Sequence, residues 1–425
     1  VRAASESIVI SAFGAVTPLG GDYHSIHQAL RHGRSGIRAI EKFDCSTHIT
    51  QHAGVPEEGN ALIRWPQARR EPAEVLYARL ATKRLLRYAP HLTQAYANER
   101  LGCVVGVDVP GTDIQSALEL VRRMEGESSR EAFMQQLVRH FRMADFFNLE
   151  PTAVLAEIYR QVPFAGFATT HVGLCSASLQ TIGMGLQALR QQRLDAVIVG
   201  GISGRVNPLN LARLEALDVI STDLLLAPEQ RSRPFDQRRS GFVLAEGGVL
   251  LLLEREAAVR QRGATPLLRI AGYGASLGAE HIVIPHQNSL EMTLAMRRAL
   301  ADAGRHARDI DYVNAHGTST ILNDRHESQA IREVFGAGTT VPVTANKSLH
   351  GHLIAAAGAM EVLNTAIALR EGFIAPTINL DAQGADCDVN VVRRMTPMLT
   401  TGGRVLKNSF GMGGLAASVV LEGVR

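Results

Sequence analysis

Four short stretches hold residue types that could do covalent chemistry. The first is His171–Gln180 (HVGLCSASLQ), where Cys175 stands among small residues just before the helix-like run Leu179, Ile182, Gly183, Leu186, Leu189. A thiol at the start of a buried helix meets amide N–H groups and the positive end of the helix dipole, so this placement predicts a thiolate nucleophile. A free cysteine also packs as a small hydrophobe, and the stretch alone does not separate the two readings. The second is Val313–Thr320 (VNAHGTST), which puts His316 where an apolar strand gives way to a glycine-bearing loop. Asp324 and Glu327 follow, three apart, on one side of the next helix. The third is Asn346–His352 (NKSLHGH), with Lys347 and His352 between an apolar strand and a small-residue helix. The fourth, Asn408–Gly414 (NSFGMGG), reads as a glycine-rich loop.

Each stretch has a plainer alternative. His316 and His352 also fit satisfied core or surface histidines. The NSFGMGG segment lacks the Lys-Ser/Thr of a phosphate-binding P-loop. Neither His316 nor His352 lies in an HxxxH or HExxH pattern, so no metal is expected. Ser176 and Ser178 lack the GxSxG elbow of a serine nucleophile.

The elements that must position these residues alternate along the chain. Ile8–Val16 reads as a strand and Glu71–Tyr88 as an amphipathic helix whose outer face carries Arg79, Lys83, Arg84 and Arg87. Leu101–Val107 and Asp195–Gly201 read as strands. Residues 113–163 read as a helical lid or dimer insertion. Phe242–Leu253 is apolar almost throughout, as a strand buried on both faces would be. The pattern then restarts: strands over Leu267–Tyr273, Ile310–Ala315, Val341–Ala345 and Ala416–Leu421, and helices over Leu290–Ala303, Asp324–Phe335 and Leu353–Arg370. This order predicts an α/β protein of two stacked halves, 1–254 and 255–425, each with its own sheet.

Composition narrows the function class. With 44 Lys+Arg against 41 Asp+Glu the net charge is +3, too balanced to suggest nucleic acid. No apolar run is long enough for a membrane span. The four cysteines, Cys45, Cys103, Cys175 and Cys387, are far apart and without CxxC spacing, which fits a reducing cytoplasm.

Taken together, the four stretches resemble the β-ketoacyl-acyl-carrier-protein synthases, and among them the type II elongating enzymes and polyketide ketosynthases. The likeness runs from ISAFGAVTPLG to NSFGMGG and includes RPFDQRRSGFVLAEGG (Arg233–Gly248) and APTINLD (Ala375–Asp381). It implies the thiolase fold, a duplicated five-layer αβαβα architecture. It also implies a Cys-His-His site of Cys175, His316 and His352, with Lys347 beside Glu327 organising the polar network around His316. The amides of Cys175 and Met412 would form an oxyanion hole, with Phe410, Gly411 and Met412 as the acyl gate. Thr318 and Thr320 would contact a phosphopantetheine arm, and Arg84 and Arg87 are candidates for docking its carrier. The implied reaction is decarboxylative condensation of an acyl-Cys with malonyl carrier, without a cofactor beyond that carrier-borne arm. The implied partners are an acyl carrier protein and a second subunit, identical or related.

Relatives set the alternatives. Initiating synthases pair cysteine with His and Asn, thiolases place a second cysteine in the C-terminal loop, and chain-length factors lack the nucleophile. A weakly active heterodimer partner of that last kind remains the alternative. The chain departs from the pattern it resembles at Gly173-Leu174, Ser240, Gly278, Met412, Leu415 and Ala416, which points to specialised polyketide or polyene-type lipid synthesis.

Overall fold

The computed structural model describes residues 7–64, 71–108, 120–124, 126–140, 147, 150–278, 280–281, 284–398 and 402–424. The main sheet is built from β1 (Ile8–Val16), β2 (Leu101–Val107), β3 (Ala168–His171), β4 (Ala196–Ser203), β5 (Gly247–Arg255) and β6 (Leu268–Leu277). It continues with β7 (Tyr312–Asn314), β8 (Pro342–Thr344), β9 (Asn390–Val391), β10 (Arg404–Gly411) and β11 (Leu415–Glu422). Their order is β3-β2-β4-β5-β1-β6-β11-β10-β7-β8-β9. Outward from the β1/β6 seam, each half runs first strand, last, next to last, second, third, with β9 added at one rim. The directions repeat too: two antiparallel pairings, then two parallel ones. The chain is a structural duplication.

The halves were expected to hold separate sheets. Instead β1 and β6 pair antiparallel through Ile8–Ile270, Val9–Arg269 and Ile10–Leu268, so one sheet of 11 strands runs through both.

Five principal helices complete the stack: α1 (Ala73–Tyr88), α2 (Ala177–Arg190), α3 (Leu290–Ala303), α4 (Ile321–Phe335) and α5 (Ala357–Arg370). Strand β5 shows why there are layers. Its Leu250 and Leu252 pack with Tyr77, Ala81 and Leu85 of α1. Its Val249, Leu251 and Leu253 point the other way, to Ile182 and Leu186 of α2 and Met360 of α5. Strand β11 repeats the split, with Ala416 and Val420 toward Met292 and Met296 of α3 and Ala417 and Val419 toward the α2/α5 layer. Helices α2 and α5 thus lie between the two halves of the sheet, with α1 and α3 outside, an αβαβα stack. Each leucine so enclosed contributes about 1.5–3 kcal/mol.

Two expected elements differ. The predicted strand Phe242–Leu253 begins only at Gly247, because Glu246 within the run turns to buried polar partners. It accepts bonds from the Tyr77 hydroxyl (2.5 Å) and the Val206 N–H (3.0 Å). The preceding Val243–Ala245 instead holds the backbone of His352. The NSFGMGG stretch is mostly strand, since β10 runs to Gly411 and only Met412–Gly414 forms the turn. Of the 113–163 insertion, helices over Arg130–His140 and Thr152–Tyr159 are seen; residues 113–119, 125, 141–146 and 148–149 lie outside the described residues.

Candidate active site

Strand β3 leads through a single turn, Leu174–Ser176, into α2. Leu174 has φ 48°, a left-handed conformation that a branched side chain adopts only under constraint from its surroundings. Gly106 of β2 permits the close approach, because a Cβ there would stand 2.9 Å from the carbonyl carbon of Ala177. The turn presents Cys175, buried at 6% exposure. The Ser409 hydroxyl donates to the Cys175 carbonyl at 2.8 Å, and the Met412 N–H reaches the thiol. Burial pushes that thiol up to about 11, against the opposing pull of the Lys347 charge and the Met412 amide. The resting group is therefore a neutral thiol, not the thiolate expected from its place at a helix start. Desolvation outweighs the local dipoles.

His316 follows β7. Glu327 of α4 fixes its backbone by accepting the N–H groups of His316 and Gly317, each at 2.8 Å. Asp324, one helical turn earlier, accepts from the N–H groups of Phe235 (2.8 Å) and Ser319 (3.2 Å). His352 is held by its own backbone: its N–H donates to Val243 at 2.7 Å and its carbonyl accepts from Ala245 at 2.9 Å.

Both imidazoles have a defined tautomer. The Lys347 ammonium donates to His316 Nδ1 at 3.1 Å, and the Ile354 N–H donates to His352 Nδ1 at 3.3 Å. Each ring therefore keeps its proton on Nε2. Burial, and after it the Lys347 charge, lowers both histidines well below their ordinary value, so both are neutral N–H donors. A ring nitrogen of each histidine and Cys175 Sγ all lie within 4.8 Å of one another. That is near enough to converge on an ion, but a metal needs lone pairs, and both Nδ1 lone pairs are already engaged. Two N–H donors beside a thiol suit a thioester carbonyl.

Lys347 and Glu327 both bond His316, and the ion-pair partner of Lys347 is a different acid. Lys347 donates to Glu361 Oε1 (2.7 Å), to the His316 carbonyl (2.6 Å) and to His316 Nδ1, using all three of its protons. Glu361 Oε2 is paired with a second buried lysine, Lys407, at 2.8 Å. Burial would raise the Glu361 carboxyl, yet the two ammonium charges hold it below the usual range. Glu361 and Lys407 were not singled out in the sequence, although a signal was there. Helix α5 is buried from Ala357 to Leu369 with one acid inside, and β10 carries a lysine in its buried stretch. Charges so placed require partners.

The remaining candidates divide. Phe410 lies edge-on to His316, ring centroids 6.0 Å apart, and Gly411 and Met412, both half-buried, adjoin Cys175. The hydroxyls of Thr318 and Thr320 are 2.9 Å apart; Thr320 also caps α4 by accepting from the Asn323 N–H at 3.3 Å. Arg84 is only partly exposed. It donates to the Ala15 carbonyl at 2.6 Å and pairs with Glu58, whereas Arg87 is exposed.

An α/β duplication with a buried Cys-His-His cluster at the ends of its parallel strands defines a thiolase-like condensing scaffold. Comparison with known proteins agrees. The family model for the beta-ketoacyl synthase N-terminal domain matches residues 5–258, and that for the C-terminal domain matches 267–381. The chain is 30% identical over 424 residues to 3-oxoacyl-[acyl-carrier-protein] synthase 2 of Coxiella burnetii, covering 98% of each. It is 30% identical over 437 residues to the tetracenomycin polyketide synthase ketoacyl synthase alpha subunit of Streptomyces glaucescens, covering 99% of this chain and 98% of that one. A solved ishigamide ketosynthase/chain length factor superimposes with a TM-score of 0.84 at 27% identity, covering 99% of this chain and 100% of that one. The chain belongs to the beta-ketoacyl synthase family.

Proposed function

We propose that the chain is a β-ketoacyl-acyl-carrier-protein synthase in which Cys175 carries the acyl group and His316 and His352 hold the malonyl thioester. The observation that supports this most is the pair of neutral imidazoles, each with its proton on Nε2, fixed beside a buried thiol. In the first half-reaction the Cys175 sulfur displaces the carrier thiol from an acyl thioester, and the thiol proton passes to the leaving carrier sulfur. The amides of Cys175 and Met412 would stabilise the tetrahedral oxyanion. In the second, malonyl carrier loses CO2 while the two N–H donors hold the enolate oxygen. Its carbon attacks the acyl-Cys carbonyl, and Cys175 leaves as a thiolate that takes up one proton.

No step calls for a redox or organic cofactor beyond the carrier's phosphopantetheine, for which Thr318 and Thr320 are the proposed contacts. The proposed partners are an acyl carrier protein, with Arg87 rather than Arg84 on its docking face, and a second ketosynthase-like subunit, identical or related. The free state of all four cysteines supports a cytoplasmic setting. Among the described residues no helix is long and apolar enough to cross a membrane.

We assign the enzyme to specialised polyketide or polyene-type lipids rather than housekeeping elongation, on its departures around the site. One of them is structurally matched: a Cβ at Gly278 would stand 2.9 Å from Glu291 Oε2, so an acidic side chain there would face a buried acid. The test supplies acyl carrier and malonyl carrier together and follows the products by mass. A β-ketoacyl carrier two carbons longer supports the activity, and its absence with every chain tried leaves the heterodimer-partner reading. Elongation of saturated acyl carriers at a housekeeping rate would remove the specialised assignment.

A further inference from the structure

Lys407 is a buried charged group to which the mechanism above gives no task. Its side chain is fully enclosed, and its ammonium reaches Glu361 Oε2 (2.8 Å) and the carbonyls of Ala315 (3.2 Å), Asn314 (3.5 Å) and Asn408. Asn314 and Ala315 are the two residues that lead into His316. Lys407 therefore ties β10, the strand beside Cys175, to the strand end from which His316 projects.

It also divides Glu361 with Lys347. Because one carboxylate oxygen goes to each lysine, Lys347 keeps a proton for His316 Nδ1, the bond that sets the imidazole tautomer. Without Lys407, a whole carboxylate charge would face Lys347 and draw it away from the histidine.

We propose, resting on the reading of the chain as a condensing enzyme, that protonated Lys407 is a positioning residue for the malonyl half-reaction. Acting through Glu361, Lys347 and the Asn314–Ala315 backbone, it keeps His316 aimed at the enolate oxygen. Cys175 acylation, which uses the amides of Cys175 and Met412, does not depend on it.

The charged and titratable groups facing Lys407 are Glu361 from α5, Lys347 from the Lys347–His350 turn, Glu327 from α4, and the neutral histidines 316, 350 and 352. Burial lowers Lys407 to about 8, with Glu361 opposing the shift and Lys347 adding to it. The positioning charge is then present below that pH and lost above it, and Cys175, higher still, titrates separately.

The experiment compares wild type with Lys407→Met and Lys407→Gln from pH 6.5 to 9.5. One assay measures CO2 release from malonyl carrier on the preacylated enzyme, and the other measures the rate of Cys175 acylation. We expect CO2 release at pH 7 to fall about tenfold in the variants, in kcat rather than KM, with acylation within twofold of wild type. The ratio of wild-type to variant CO2 release should shrink toward one above pH 9, where wild type has lost the same charge. A ratio constant with pH, equal losses in both half-reactions, or unchanged CO2 release would overturn the proposal. If both variants fail to fold, the wild-type profiles decide. An alkaline fall near pH 8 in CO2 release alone supports the role, and its absence or its presence in both assays contradicts it. A wild-type enzyme that neither accepts acyl groups nor releases CO2 would instead refute the functional reading beneath.

Discussion

In the first half of the chain Leu174, at φ 48°, turns β3 into the helix that begins beside Cys175. In the second, Ile354, at φ 42°, makes the same turn into α5, and the residue after it is Ala355. Both elbows put a branched side chain in a left-handed conformation, and both sit on a glycine, Gly106 for the first and Gly201 for the second. Their surroundings differ. The amide of Ala355 is taken by the buried Asp108 carboxylate, which the Ser203 hydroxyl also binds at 2.7 Å. The first elbow meets the Met412 amide and the two histidines. Duplication thus supplied one backbone device twice. One copy presents a thiol; in the other an internal acid occupies the amide, and the elbow supports His352 through the Ile354 N–H.

The largest break in this asymmetry is a transplant. Cys175→Ala combined with Ala355→Cys moves the thiol to the matching elbow, and condensation should fall at least about 10⁴-fold without recovery. Product formation from acyl and malonyl carriers is the readout, and recovery above that of Cys175→Ala alone would show the elbows to be interchangeable.

Removing the contribution of the second half comes next. His316→Ala and His352→Ala should each lower CO2 release by about 10²–10³-fold, the cost of a lost oxyanion donor, while Cys175 still accepts an acyl group. Single-turnover acylation and CO2 assays separate the two effects, and an equal loss in both would mean that the histidines also serve the thiol.

Glu361→Gln tests the buried charge cluster and should cost about 3–5 kcal/mol of stability by leaving two lysines without their carboxylate. Chemical denaturation measures it, and a loss below about 1 kcal/mol would show the cluster to be dispensable for folding.

The pH sensitivity of the thiol is smaller at any one step. With Cys175 near 11, the thiolate is the minor form at neutral pH, and its fraction rises about tenfold per unit until the value is approached. Iodoacetamide alkylation of Cys175 should climb accordingly from pH 7 to 10. A rate flat above pH 8 would mean that the elbow stabilises the thiolate after all.

Least of all, Arg84→Glu should cost about 1 kcal/mol through its Glu58 pair and the Ala15 carbonyl, whereas Arg87→Glu should leave stability unchanged and weaken only carrier binding. Melting curves and carrier titrations distinguish them.

Local signals in the sequence mark the site, and long-range ones do not. Cys175, His316 and His352 stood out because glycines and small residues surround each of them, and the alternation of strands and helices foretold the duplicated stack. What the sequence concealed was long-range pairing. Lys347 sits 20 residues from Glu327 and 14 from Glu361, and nothing in that spacing says which acid it meets. Glu246 broke the predicted strand at Phe242 because a buried acid is satisfied before a ladder is extended. Asn408 and Ser409 looked like loop residues, yet they are strand residues whose polar groups bond Glu327 and the Cys175 carbonyl. The protonation state of Cys175 could not be read locally at all, since burial is a property of the whole fold.

Acyl transfer to Cys175 is tested most directly by intact-protein mass spectrometry after mixing with acyl-loaded carrier. The predicted result is one acyl increment on the wild-type chain, cleared when malonyl carrier is added and absent from Cys175→Ala. No adduct with any chain length, or an adduct that persists in Cys175→Ala, would contradict it.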